Sequence, residues 1–270
     1  MSGVLSRRRR HPLAAVVVLL LALFGFGSAY AALAPSSDAQ VQASTSTQIE
    51  EGRKLFAIGC ASCHGLGGEG QVRDDGTVLG PSLIGVGAAS VDFQVSTGRM
   101  PMAAPGAQAP AKKVAYSDEQ IEQLAGFVAS LAPGPAIPDA DAVDPAQGDV
   151  SRGGVLFRTN CASCHNTTGQ GGALTYGKVA PSLVGVEPEQ IYEAMITGPQ
   201  SMPVFNDVTI SPEDKRDIIA FLDNVESEPN PGGFGIGRAG PVAEGLWAWL
   251  VGIGGLIGAA VWIVSRSAKA

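Results

Sequence analysis

Cysteine and histidine are scarce in this 270-residue sequence, with four and three copies, and every cysteine is spent in two short motifs. No thiol is left over for a disulfide framework. Charged residues make up only 16% and acids outnumber bases by seven. That balance lacks the basic footprint of a nucleic-acid-binding protein, so no nucleic acid is expected as a partner. Alternation of β-branched with polar residues is nearly missing, which argues against sheets. Carboxylates such as Asp74 and Asp75 show no paired arrangement, so acid–base catalysis has no candidate residues. Glycine and proline, by contrast, fill 54 positions, enough for loop-rich compact domains joined by linkers.

Two apolar runs occupy the ends, residues 13–33 and 246–264. At about 1.5 Å per residue each reaches roughly 30 Å, the hydrocarbon thickness of a bilayer. The first follows Arg7, Arg8, Arg9, Arg10 and His11, and the second precedes Arg266 and Lys269. By the positive-inside rule residues 1–12 and 265–270 are cytoplasmic, which puts the intervening chain on the outer side of the plasma membrane and makes the protein multi-pass. Ala29-Tyr30-Ala31 resembles a signal cleavage site, so the first run is either a retained anchor or a removed signal sequence. The second carries Trp247, Trp249 and Trp262 near its edges and a small-residue face with Gly254 and Gly258, suited to packing on another membrane helix.

Residues 34–47, 133–147 and 226–245 read as linkers, the middle one through Pro133, Pro135, Pro138 and Pro145. Between them lie two segments, 48–132 and 148–225, that repeat one another. Cys60-Ala61-Ser62-Cys63-His64 recurs as Cys161-Ala162-Ser163-Cys164-His165, and Gly52, Leu55 and Phe56 as Gly153, Leu156 and Phe157. Pro81-Ser82-Leu83 and Thr97-Gly98 recur as Pro181-Ser182-Leu183 and Thr197-Gly198 at an offset of 100. A duplicated domain is the simplest account. Ser117 with Gln120 predicts a capping box before a helix with Ile121, Leu124, Val128 and Leu131 inward. Ser211-Pro212 opens its counterpart, with Ile218, Phe221, Leu222 and Val225 inward. Short helices around 49–57 and 152–158 precede the cysteine motifs. The expectation is all-α, two tandem small domains between terminal membrane helices.

The cysteine motifs are CxxCH. Two residues between the thiols let both sulfurs reach the vinyl groups of one haem, and the adjacent imidazole is aimed at the iron. The expected cofactors are two covalently bound c-type haems, attached through Cys60, Cys63, Cys161 and Cys164, with His64 and His165 as axial ligands. A thioredoxin-like motif needs a βαβ context, disulfides leave the histidines unexplained, and a shared zinc leaves the repeat without purpose. His11 lies on the cytoplasmic side, so methionine is the sixth-ligand candidate. Met195 sits in an apolar helix-like stretch and is expected in the core. Met202, before Pro203, is the second-domain candidate; in the first domain Met100 is favoured because it repeats the Met-Pro step before Pro101, with Met102, which aligns with Met202 without a gap, as the alternative. Gly67-Gly68-Glu69-Gly70 and Gly169-Gln170-Gly171-Gly172 read as turns after the motif helix, not phosphate cradles.

With these landmarks in place, both segments resemble class I cytochrome c domains: Gly-x-x-Leu-Phe helix, CxxCH, Pro-Ser-Leu turn, Thr-Gly and Met-Pro ligand loop, last helix. The whole layout is similar to the dihaem cytochrome c subunits of actinobacterial quinol–cytochrome c reductases. The resemblance implies that the carbonyls of Pro81 and Pro181 orient His64 and His165. It also implies cytochrome b and Rieske iron–sulfur subunits as partners, a haem-copper cytochrome c oxidase as acceptor, and a role as the electron-transfer subunit of a quinol–cytochrome c oxidoreductase (translocase). The other readings are a dihaem subunit of a terminal oxidase or of a membrane dehydrogenase. The duplicated motif generates a direct test: a pyridine haemochrome assay on denatured, acid-acetone-washed protein gives a haem-to-chain ratio near two. A ratio of one, or extractable haem, would contradict it.

Overall fold

A computed structural model describes residues 12–33, 46–228 and 241–267. The basic run Arg7 to Arg10, His11, Lys269 and most of the first and third linkers lie outside the described residues. The chain divides into two units, residues 1–40 and 41–270. The first contains helix α1, Pro12–Leu33. Val16–Ser28 forms its shorter apolar stretch.

The second unit opens with α2, Ser46–Gly59, and a one-turn helix α3, Ala61–His64. A two-stranded antiparallel ribbon comes next, β1 (Gln71–Val72) with β2 (Val78–Gly80). Helices α4 (Gly87–Ser96) and α5 (Asp118–Leu131) complete the first domain. A short α6, Ala140–Val143, and a 3₁₀ turn, Pro145–Gln147, lead to α7 (Val150–Asn160) and the one-turn α8 (Ala162–His165). Beyond them lie β3 (Gly172–Ala173) paired with β4 (Val179–Ala180), then α9 (Pro188–Thr197) and α10 (Pro212–Ser227). The apolar α11, Pro241–Ser267, ends the described chain.

The described residues are mostly helical, at 59%, and the two ribbons qualify the all-α expectation. In the first, Asp75-Gly76 closes the hairpin: Arg73 N–H donates to Thr77 O at 2.9 Å, Thr77 N–H to Asp75 Oδ1 at 2.9 Å, and Gly76 takes φ +83°. An Asp-Gly pair flanked by Val72 and Val78 is a hairpin signal too short to register as strand alternation.

Each domain is held by the crossing of its first and last long helices. A Cβ at Gly52 would collide with the carbonyl of Gln123, and one at Gly153 with the carbonyl of Asp217. Glycine therefore lets the backbones touch, and Phe56 and Phe157, each 1% exposed, pack beside the contact. Phe56 meets Phe127 at 5.1 Å between ring centroids, and Phe157 meets Phe221 at 5.5 Å. The Ser117 capping box forms with both of its bonds, and Ser211 accepts from Asp214 N–H ahead of Pro212. Ile121, Leu124, Val128, Ile218 and Leu222 are buried as expected, Leu131, Phe221 and Val225 only partly, and Met195 sits in the second core. A lysine that periodicity did not mark, Lys215, is buried as well. Its Nζ donates to Asp207 Oδ1 at 2.6 Å and Ile210 O at 2.7 Å and lies 5.7 Å from the Tyr192 ring centroid.

The Pro-rich segment packs against the domains. Ile137 lies on the first core, Ala142 and Val143 lie on the second, and Pro135 O accepts from Ala89 N–H at 3.2 Å. Two glutamines join the domains reciprocally. Gln108 donates to Val179 O at 2.6 Å and accepts from Val179 N–H at 3.0 Å, while Gln200 donates to Ala109 O at 3.0 Å and accepts from Ala109 N–H at 3.1 Å. Helices α4 and α9 also pack on each other.

Among the described residues one helix, Gly245–Ser267, is long and apolar enough to cross a membrane, with mean hydropathy 1.9. Gly254 and Gly258 have open space around them, and the Arg266 guanidinium lies over the Trp262 ring at 5.0 Å.

The glycine crossings make a stability prediction. Gly52→Val or Gly153→Val forces the helices apart and costs about 3 kcal/mol, lowering the thermal midpoint followed by circular dichroism by about 10 °C or more. An unchanged midpoint in both variants would contradict the account.

Candidate functional site

The residues before each motif form a long helix that passes into a single further turn. Cys60 N–H donates to Phe56 O, and Cys63 and His64 N–H both donate back to Cys60 O, at 3.1 and 3.0 Å. Cysteine, cysteine and histidine thus stand at i, i+3 and i+4, on one face of the turn. The second motif repeats this, with Cys164 and His165 N–H on Cys161 O at 3.1 and 2.9 Å.

Proline carbonyls from the loop beyond the ribbon fix the imidazoles. His64 Nδ1 lies 2.8 Å from Pro81 O and His165 Nδ1 lies 3.0 Å from Pro181 O. A carbonyl can only accept, so Nδ1 carries the proton and Nε2 keeps its lone pair, the arrangement of a metal-ligating histidine. Burial lowers the His165 pKa further than its bond to Pro181 raises it, favouring the neutral ring. The loops that carry the prolines are tied back in the same way in both domains. Leu83 N–H donates to Gly68 O, and Leu183 N–H to Gly169 O, each at 2.7 Å.

Glycines shape the cradle, and only their role as turns is legible in the sequence. Gly68, Gly70, Gly169 and Gly171 all have positive φ. Gly80 packs flat on the motif: a Cβ there would sit 2.7 Å from Cys63 O and 3.0 Å from His64 Cε1. In the second domain the residue before the proline is Ala180, and the glycine close to the motif is Gly172 on the other strand, 2.9 Å from Cys164 O by the same measure. Both glycines belong to the ribbons, so the strands that the sequence pattern does not reveal are what brings backbone against the motif.

The methionine candidates separate by their surroundings. Met100 packs against the first core and donates its N–H to Gln94 O at 2.8 Å. Met202 packs against the second core. Met102 reaches toward Gly106.

The chemistry of this donor set fits a porphyrin better than its rivals. Burial pushes the Cys60 and Cys161 thiols up to about 11, the reverse of the lowered pKa that thiol–disulfide chemistry uses. Apolar side chains next to each site in sequence stand well exposed, among them Leu66, Val72, Val78 and Ile84 in the first domain and Val179, Val184 and Val204 in the second. An apolar macrocycle held by two thioethers and an imidazole matches such walls.

Comparison with known proteins agrees with this reading. Residues 49–132 match the family model for cytochrome c, and residues 148–222 match that for cytochrome c oxidase, cbb3-type, subunit III. The chain is 44% identical to the cytochrome bc1 complex cytochrome c subunit of Corynebacterium efficiens, over 97% of this chain and 92% of the relative. It is 45% identical to the protein of that name from Mycobacterium tuberculosis, over 98% and 95%. A more distant similarity, 27% over 46% of this chain and 40% of the relative, links it to the cbb3-type cytochrome c oxidase subunit FixP of Sinorhizobium medicae.

Proposed function

Because the chain belongs to the family of cytochrome bc1 complex cytochrome c subunits, we propose that it is a dihaem electron-transfer subunit of a respiratory quinol–cytochrome c reductase that delivers electrons directly to a haem-copper oxidase. Family membership gives c-type haem and electron transfer within the reductase. The observation that carries the finer reading is the duplicated helical turn with its imidazole held by a proline carbonyl.

A c-type haem, when bound, supplies an iron that changes charge by one electron. The chain's own residues do the rest. Cys60 with Cys63, and Cys161 with Cys164, would hold one porphyrin each through thioethers. Pro81 and Pro181 keep His64 and His165 in the tautomer that offers Nε2. Met100 and Met202 would supply a thioether to each iron, and such a ligand would raise the potential relative to a second imidazole. The paired glutamines and the α4–α9 contact support a fixed spacing between the two sites, so transfer inside the chain needs no diffusive encounter.

Residues 245–267 anchor the domains on the outer face of the plasma membrane, with residues 13–33 as a second span where retained. Cytochrome b and the Rieske protein lie upstream in this arrangement. Residues 139–228 carry fourteen acids against five bases, compared with nine against six in residues 49–132, which suits the second domain to a basic docking partner. The match of residues 148–222 to a cbb3-type oxidase subunit favours a second reading, a terminal-oxidase subunit. Full-length similarity to reductase subunits outweighs a match confined to one domain.

Two experiments test the proposal. Met100→Ala removes the first domain's share of the weak near-infrared methionine–iron band of the oxidised protein, Met202→Ala removes the second's, and Met102→Ala leaves the band whole. Retention of the full band in Met100→Ala would transfer the ligand to Met102. Membranes washed with concentrated salt retain quinol oxidation linked to oxygen uptake. Loss of that activity, with recovery only on adding a soluble cytochrome c, would defeat the direct route to the oxidase.

A further inference from the structure

Three carboxylates from the two domains meet where α4 packs on α9. Asp92 comes from α4, and Glu189 and Glu193 lie one turn apart on α9; one oxygen from each lies within 4.8 Å of the others. Glu193 is fully buried, at 0% exposure, and neither of its oxygens has a hydrogen-bond partner outside the cluster, where its carboxyl group lies against that of Asp92. The charged groups acting on the cluster from outside share its sign, with Asp118 and Glu122 of α5 facing Asp92. Among the described residues no lysine or arginine forms a salt bridge with any of the three.

A buried carboxylate without a donor is costly, and two further carboxylates at this range add repulsion. Either a shared proton or a cation must relieve it. One proton satisfies a single lone pair, whereas an ion at the centre engages all three groups. The donors are all oxygens, which suits a hard divalent cation, and calcium accepts the irregular geometry that side chains from two domains offer, where magnesium demands a near-ideal octahedron. Ser96, whose hydroxyl accepts from Gln190 Nε2 at 3.4 Å, adds an oxygen beside Asp92. Glu189 is exposed and opens the cluster to water on one side. This supplies both an entry path and the remaining ligands of a six- to eight-coordinate site.

We propose that Asp92, Glu189 and Glu193 form a calcium site that bridges the two cytochrome c domains. The ion replaces repulsion between α4 and α9 by attraction and so fastens the two domains at that face. Nothing in this depends on which redox partners the chain serves.

The test uses the full-length chain with its haems, solubilised in mild detergent and stripped with a chelator. Equilibrium dialysis against radioactive calcium gives one ion per chain, and added calcium raises the thermal midpoint. Glu193→Gln and Asp92→Asn weaken binding by about a hundredfold or more and abolish the thermal response. Glu189→Gln, at the exposed rim, folds normally and binds more weakly than wild type. Absence of saturable binding, with Glu193→Gln melting at or above the wild-type midpoint, would show a shared proton in place of the ion. Calcium binding unchanged in Glu193→Gln and Glu189→Gln would locate the ion elsewhere; either result overturns the proposal.

Discussion

Everything in the two haem-type domains depends on how closely their first and last helices can cross. At Gly52 and Gly153 the neighbouring helix's carbonyl occupies the space a side chain would need. The motif turn continues directly from the helix that carries each glycine, through the Cys60 and Cys161 N–H bonds to Phe56 and Phe157. Backbone contact at the crossing therefore sets where the thiols and the imidazole stand. An ~80-residue helical domain buries little apolar surface, so this contact and the aromatic pairs beside it carry much of the definition.

The duplicated domains keep the same hydrogen bonds at the motif while diverging around it. In the second, Arg152 lies on Asp214 and Asp217, Asp217 also accepts from Asp149 N–H, and Lys215 is buried on Asp207. Exposed pairs of this sort contribute little, but Lys215 is enclosed, and removing Asp207 would leave an ammonium with the Ile210 carbonyl as its remaining hydrogen-bond partner. The first domain manages without such a network; Phe127, absent from the inward set that periodicity marks on its last helix, is buried there.

Much of this was legible in the sequence because it is local or repeated. Caps at Ser117 and Ser211, the helices they open, those ahead of the cysteine motifs, the core role of Met195 and the CxxCH turns all arise from residues a few positions apart. What stayed hidden is long-range. The amide of Gln108 meets residue 179 and that of Gln200 meets residue 109, and no periodicity points across such separations. Asp92 and Glu193 meet only through the packing of α4 on α9, which no local pattern shows. The ribbons were concealed differently: strands of two or three residues are too short to show alternation.

The glutamine pairs have a consequence for how the chain can change. Each amide reads an N–H and a C=O of its partner's backbone, groups that every residue except proline possesses. At position 179, where the Val179 side chain is half exposed, the docking contact is indifferent to side-chain identity. Specificity at this joint is thus concentrated in Gln108 and Gln200, and drift at the strand edge facing Gln108 passes without notice so long as it avoids proline.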